Sequence, residues 1–317
     1  MKIIDAAATR DALAFGPLLD ALNAMFVEGC EVPLRHTHVI PDPVTGADVT
    51  VLIMPAWQPG GFLGIKTVNI APANSTHPQR GLPGLHSTYL LYDAATGVPL
   101  AQMDGNEITS RRTAAASALG VAYLAREDAS HLALLGAGRV GALVPLAHRT
   151  VRPIRRVSVW DRDARAAARA VDGLREQGFE ARVCDTAKAA VADADIVTCA
   201  TLATEPVVQA EWLAPGVHLD LIGSFTPQMR EADDACFAGA TLFVDTEEAL
   251  AKSGELLGPM SRGVFTKQDV RGTLADLCRA GRIRREARDE RTVFKAVGTA
   301  LEDLAAAMLV WRTTQGA

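Results

Sequence analysis

His131-Leu132-Ala133-Leu134-Leu135 runs directly into Gly136-Ala137-Gly138-Arg139-Val140-Gly141. The short apolar run predicts a buried strand, and the three glycines have the spacing GxGxxG. Val140 to Arg149 is predicted to be the helix that follows. Glycines at these places let the chain turn tightly and let its backbone approach a pyrophosphate. They also let the helix pack close to the sheet, with phosphates over its N-terminal amides. A second strand, Val157 to Asp161, ends on an acid twenty residues past Gly141. A carboxylate there accepts hydrogen bonds from an adenosine ribose. Strand, loop, helix, strand and acid together indicate a dinucleotide. The alternative for the same residues is a tight turn in an α/β domain that binds nothing. Arg162 follows Asp161. The acid repels a 2′-phosphate and the arginine attracts one. NAD(H) is therefore slightly favoured, with NADP(H) possible. Arg162 also reads as an exposed charge at a helix start.

Working outward, strands and helices alternate on both sides. An Ala-rich helix from Thr109 to about Arg126 comes first, then Ala164 to Gln177. Strands are expected at Ile196 to Ala200 and Val217 to Ile222. Such alternation predicts a parallel sheet of βαβ units. Arg279 to Arg291 is dense in charge and reads as a solvated face. Thr292 to Trp311 reads as one apolar helix with Phe294, Val297, Leu301, Leu304 and Met308 on one side. The first hundred residues differ. A helix starts at Gly16-Pro17 and stops at Gly29. Strands are expected at Thr50 to Met54, Phe62 to Ile70, His86 to Tyr92 and Val98 to Met103. That half reads as an antiparallel sheet with a flanking helix. The expected fold class is α/β: a Rossmann domain over residues 113–291, and an α+β domain over 1–112 plus 292–317.

Composition narrows the function classes. The 317 residues are 49% hydrophobic and 22% charged, as in ordinary globular proteins. A formal charge of −5 argues against a nucleic-acid surface. The N-terminus carries Lys2, Asp5, Arg10 and Asp11, so no signal-peptide core fits there. Thr113 to Ala125 is too short to span a bilayer, so no membrane association is expected. The five cysteines lack CxxC spacing and read as thiols in a reducing cytoplasm. His36 and His38 lack further ligands, so no metal is expected.

With these residues placed, the chain resembles the ornithine cyclodeaminase/mu-crystallin family. Four stretches carry the resemblance: Met54-Pro55 with Gly64-Ile65-Lys66-Thr67-Val68; Thr109 to Ala116; the Gly136 loop; and Phe294-Lys295-Ala296-Val297-Gly298 with Glu302-Asp303. The resemblance implies an N-terminal domain that binds substrate and forms a homodimer, completed by the C-terminal helix. It implies that Arg35, Lys66 and Arg112 hold the carboxylate of an amino-acid-like substrate, with Lys66 and Arg112 nearest the chemistry. It also implies cofactor contacts at Thr113, Thr201, Ser224 and Lys295, beside the loop Gly136, Ala137, Gly138, Arg139, Val140 and Gly141 with Asp161 and Arg162. Elementary chemistry agrees. Arginine fixes a carboxylate with a two-pronged bond. A cation buried in or near an apolar strand needs a partner, and a substrate anion would be one. A structural salt bridge is the alternative for each.

Departures from the family pattern refine the expectation. Ornithine-cyclising members carry a Glu two residues before the Met of Met-Pro, and an Asp two residues after the glycine that follows the fifth strand. Here those places hold Leu52 and Phe225. Cyclisation needs proton transfers at two amines as well as hydride transfer. Gly223-Ser224-Phe225-Thr226-Pro227, with Met229-Arg230-Glu231, looks instead like members that reduce Δ1-pyrroline-2-carboxylate or Δ1-piperideine-2-carboxylate. Val140 also replaces a Gln common in the family loop. The expected activity is ketimine reduction to L-proline or L-pipecolate. Ornithine cyclodeaminase or alanine-dehydrogenase-like chemistry is the alternative, and a non-catalytic binding protein is the alternative of another class.

Overall fold

The strand segments at 62–70, 85–93 and 99–104 alternate more and less buried side chains with the period of two that a half-buried strand requires. The computed structural model describes residues 1–76 and 80–315. In chain order its first elements are β1 (Lys2–Ile4), α1 (Ala6–Ala12), α2 (Phe15–Glu28), β2 (His36–Ile40), β3 (Val49–Trp57), β4 (Phe62–Ile70), α3 (Ala73–Thr76), β5 (Leu85–Asp93), β6 (Pro99–Asp104) and α4 (Gly105–Leu124). Then follow β7 (His131–Leu135), α5 (Val144–His148), β8 (Arg156–Trp160), α6 (Ala164–Glu176), β9 (Glu180–Val183), α7 (Ala187–Val191), β10 (Ile196–Cys199), β11 (His218–Leu221), β12 (Thr241–Val244), α8 (Ala249–Lys252), α9 (Gly254–Ser261), β13 (Val270–Thr273), α10 (Leu274–Ala280), β14 (Thr292–Lys295) and α11 (Ala300–Gln315).

The chain divides into two units, Met1–Arg112 with Thr299–Ala317, and Thr113–Gly298. The first holds a six-stranded sheet in the order β1-β6-β5-β4-β3-β2. Its strands are antiparallel except that β1 runs parallel to β6. The sequence reading missed β1, α1 and β2. β1 is three residues long, too short for a periodic signal. Helix α11 packs on α2 and on β3, β4 and β5. Register places Met54, Lys66, Tyr89, Met103 and Ile4 in one row across five strands. Directly paired residues share a face, and every member of this row is buried. Gly64 makes room for it, because a Cβ there would overlap the Tyr89 hydroxyl.

The second unit is an eight-stranded sheet in the order β13-β12-β14-β11-β10-β7-β8-β9, with every pairing parallel. Strand order reverses between β7 and β10, the switch point at which open α/β sheets bind ligands beyond their carboxyl ends. Two expectations need correction here. Residues 292–298 belong to this unit, and Thr292 to Lys295 is a strand, not the start of a helix. β14 lies between β11 and β12, where all four of its residues are buried. Such a strand shows no amphipathic alternation, so its apolar residues fit a helical pattern equally well. The predicted helix from Val140 opens as a 3₁₀ turn, Gly141–Leu143, before α5.

Candidate active site

The glycine loop joins β7 to the turn before α5, and each glycine has its own reason. Gly136 has φ +99°, and a Cβ there would stand 2.6 Å from the Ala200 carbonyl oxygen. A Cβ on Gly141 would overlap the carbonyl of Gly136. Both substitutions are blocked by the protein's own backbone. Gly138 is different: no atom lies within 4 Å of the position its Cβ would take. The space beside it is free for a ligand, which fits a pyrophosphate lying against the loop. Asp161 follows β8. Its Oδ2 accepts the Ala137 N–H at 2.7 Å and its Oδ1 accepts the Asp163 N–H at 2.8 Å. The acid thus braces the glycine loop and the turn before α6. Arg139 and Arg162 are exposed, and Val140 is half-buried.

The other expected cofactor residues are placed less openly. Thr113 is half-buried on α4. Thr201 donates its N–H and its hydroxyl to Glu231 Oε1, at 2.7 and 2.9 Å. Ser224 is fully buried and donates to the Met229 carbonyl at 2.6 Å. Lys295 is also fully buried, its Nζ donating to the Leu221 carbonyl at 3.1 Å. Burial lowers its pKa, against the opposing pull of Glu231, Glu255, Asp245 and Asp220. Lys295 therefore ties the end of β14 to the end of β11, and Ser224 closes the turn back to Met229.

In the first unit, Lys66 projects from the middle of β4 and Arg112 from α4. Lys66 Nζ is 2.7 Å from Asp303 Oδ2. Arg112 Nη1 is 2.6 Å from Glu302 Oε2, and its Nε is 2.8 Å from Asp303 Oδ1. All four side chains are buried. The sequence reading quoted Glu302 and Asp303 within a motif but did not place them in the site. The available signal was the burial of two cations, each of which needs a partner. Of the two readings of these cations, substrate anion or structural salt bridge, the salt bridge is present for both, since α11 supplies two carboxylates. Burial pushes the Lys66 amine down to about 8, helped by Arg112 and opposed by Asp303. Burial also works against Arg112, but Asp303 and Glu302 outweigh it and hold the guanidinium above its ordinary pKa. Asp303 is disfavoured as an anion by burial, yet Arg112 and Lys66 bring its pKa below the usual value. Arg35 stands half-buried immediately before β2, whose first residue, His36, pairs with Ile53.

Two cations face two anions, so the cluster is balanced before any substrate arrives. Leu52 pairs with Val68 on the same face as Lys66, so a carboxylate there would have stood next to the row. Phe225, in the segment after β11, is 37% exposed. Among the described residues no group of His, Cys, Asp and Glu is arranged to hold a metal, and no helix is long and apolar enough to cross a membrane.

The chain is similar to proteins of known activity. The chain is 41% identical to a Δ1-pyrroline-2-carboxylate reductase of Paracoccus denitrificans over 296 residues, 89% of this chain and 91% of the relative. A Thermococcus litoralis Δ1-pyrroline-2-carboxylate reductase, solved with NADH and L-proline, superposes with TM-score 0.92 at 30% identity, covering 100% of this chain and 98% of that one. An archaeal alanine dehydrogenase dimer with bound NAD superposes with TM-score 0.90 at 28% identity, covering 100% and 96%. A glycine loop at the switch point, a buried cation pair matched by the acids of α11, and a family profile spanning residues 20–317 agree: this chain belongs to the ornithine cyclodeaminase/mu-crystallin family.

Proposed function

We propose that the protein is an NAD(P)H-dependent reductase of a cyclic ketimine carboxylate, Δ1-pyrroline-2-carboxylate or Δ1-piperideine-2-carboxylate, giving L-proline or L-pipecolate. The observation that carries the reading is the balanced cluster of Lys66, Arg112, Glu302 and Asp303. A ketimine protonated at nitrogen is neutral overall, so its entry leaves the buried charge balanced. An unprotonated imine would bring one uncompensated negative charge into a poorly solvated place, which is costly. Lys66 and Arg112 hold the carboxylate, and Glu302 and Asp303 keep both cations in position. The iminium forms in solution, so neither position 52 nor position 225 has to move a proton. When bound, the dinucleotide supplies the hydride. The Δ1-pyrroline-2-carboxylate reductases of Paracoccus denitrificans and Thermococcus litoralis support the same substrate class.

A direct assay tests the reading. Either ketimine carboxylate should oxidise NAD(P)H readily, while ornithine should release no ammonia above background. Robust ornithine turnover would overturn it and would show that groups other than positions 52 and 225 carry the protons.

The pKa of Lys66 gives a pH dependence with a definite sign. The amine is charged below about 8 and neutral above it. kcat/KM for the ketimine should therefore be level below that pH and fall as pH rises through it. Deprotonation of the iminium acts in the same direction, so Lys66→Arg separates the two. Arginine stays charged, and the falling limb should move to higher pH in the variant. An unmoved limb would assign the titration to the substrate.

Cofactor choice belongs to Asp161 and Arg162. A carboxylate facing a 2′-phosphate adds repulsion of about 1 kcal/mol in water, and exposed Arg162 offsets part of it. The expected result is a modest NADH preference with measurable NADPH use. Asp161→Ser should shift the kcat/KM ratio toward NADPH, and Arg162→Ala toward NADH. A wild type that strongly prefers NADPH would make Arg162 the governing residue.

The protein also acts as a homodimer in this reading. The face of the first sheet opposite the Lys66 row carries Ile53, Pro55, Trp57, Ile65 and Leu90, all partly exposed. A contiguous apolar face of this kind marks an association surface, and the archaeal alanine dehydrogenase is a dimer. The five free thiols, four of them buried, fit a reducing compartment such as the cytoplasm.

A further inference from the structure

Glu231 closes the Gly223 to Glu231 stretch and is completely buried in the second unit. Its Oε1 accepts the Thr201 N–H at 2.7 Å and the Thr201 hydroxyl at 2.9 Å, and its Oε2 accepts the Gly223 N–H at 2.7 Å. Thr201 lies just beyond β10 and Gly223 just beyond β11. One carboxylate therefore fastens the two loops to each other. The backbone repeats the connection. The Glu231 carbonyl accepts from Val207 and Val208 at 2.7 and 3.0 Å, and the Arg230 N–H donates to the Ala203 carbonyl at 2.8 Å. Gly223 has to be glycine, because a Cβ would overlap both the Thr201 carbonyl and the Glu231 carboxylate.

Glu231 is itself held. Glu255, on α9, accepts the N–H groups of Glu231 and Ala232 at 2.7 and 2.9 Å. A buried carboxylate is costly unless paired and hydrogen-bonded. This one has three donors of its own, and Lys295 nearby supplies positive charge. At the surface of the fastened loops, Leu202 is 78% exposed and Phe225 37%. Large apolar side chains held outward on anchored loops suit contact with a planar ring.

The sheet order says which half of a dinucleotide reaches them. The glycine loop after β7 takes the pyrophosphate, and Asp161 after β8 takes the adenosine side. The nicotinamide half then extends across the switch point toward β10 and β11. We infer that Glu231 is a positioning residue for the nicotinamide half of the cofactor, fixing the loops after β10 and β11 so that Leu202 and Phe225 meet the ring. The inference rests on the reductase reading, in which a dinucleotide binds.

The test compares NADH with ADP-ribose, which lacks the nicotinamide. Binding of each is measured by fluorescence titration or calorimetry for the wild type, Glu231→Ala and Glu231→Gln. Glu231→Ala should weaken NADH roughly 10- to 100-fold, the equivalent of one or two charge-assisted hydrogen bonds. ADP-ribose should stay within about twofold, since its part of the site is untouched. Glu231→Gln should fall between, because an amide offers one acceptor oxygen and turns its NH₂ toward the other loop's donor. Hydrogen exchange at the Thr201 and Gly223 amides should quicken in both variants. Leu202→Ala and Phe225→Ala alter exposed side chains only and should weaken NADH without weakening ADP-ribose. Equal losses for the two ligands, or no loss for either, would overturn the inference while leaving the reductase reading intact. A wild type that binds ADP-ribose and NADH not at all would overturn both.

Discussion

Arg112→Ala is expected to destabilise the first unit by about 3–5 kcal/mol, the cost of breaking a buried ion pair by removing one partner. The variant leaves Glu302 and Asp303 buried with Lys66 as the remaining cation of the cluster quoted above. kcat/KM for the ketimine should also fall roughly 10- to 150-fold, from the loss of a charge-assisted pair worth ~1.5–3 kcal/mol. NADH binding, measured separately, should hardly change. The two effects have different origins, and a double variant separates them. Arg112→Ala with Glu302→Gln restores charge balance, so denaturant unfolding should recover much of the lost stability. Turnover should not recover, because the guanidinium is still absent. If the double variant regains both, Arg112 is structural alone. Arg112→Lys should not substitute fully: an ammonium cannot reproduce two contacts made through separate nitrogens of one planar fork.

Gly138→Val should abolish most dinucleotide binding while leaving the fold intact. No atom beyond the chain neighbours lies within 4 Å of the Gly138 Cβ position, so a side chain can start there without meeting the backbone contacts that block Gly136 and Gly141. The same space is where a pyrophosphate approaches the loop, so the side chain and the ligand compete for it. Overpacking costs ~1–3 kcal/mol, so NADH affinity should fall roughly 10- to 100-fold. The thermal midpoint of the unliganded variant should match the wild type within a few degrees. Gly141→Ala is the contrasting control. Its Cβ would overlap the Gly136 carbonyl, so stability and binding should be lost together. A folded Gly138→Val protein with wild-type NADH affinity would remove the loop from the cofactor site.

The glycine loop was legible because its physics is local. Three glycines at fixed spacing, an apolar strand before them and an acid after the next strand all act within about thirty residues. The same holds for β4 and β5, whose alternation survives folding in the observed spans Phe62–Ile70 and Leu85–Asp93. Lys66 stood out for a related reason, as a cation in an apolar strand, whereas Arg112 was marked only by the resemblance of Thr109 to Ala116 to the family motif. By contrast, β14 was read as helix because a fully buried strand carries no alternation, and only the sheet's own packing inserts it between β11 and β12.

Local sequence signals alone were enough for the alternating α/β half, the sheet of the first half and the glycine loop. Each follows from residues that signal through their neighbours in the chain. Tertiary structure alone decided that Arg112 meets Glu302 and Asp303, at separations of 190 and 191 residues. It alone decided that Glu231 meets Thr201 thirty residues back and Gly223 eight residues back. Periodicity tells which face of an element is buried. It does not tell which distant carboxylate is buried with it, because that choice is made by the packing of whole elements, where a charge taken out of water must find its opposite.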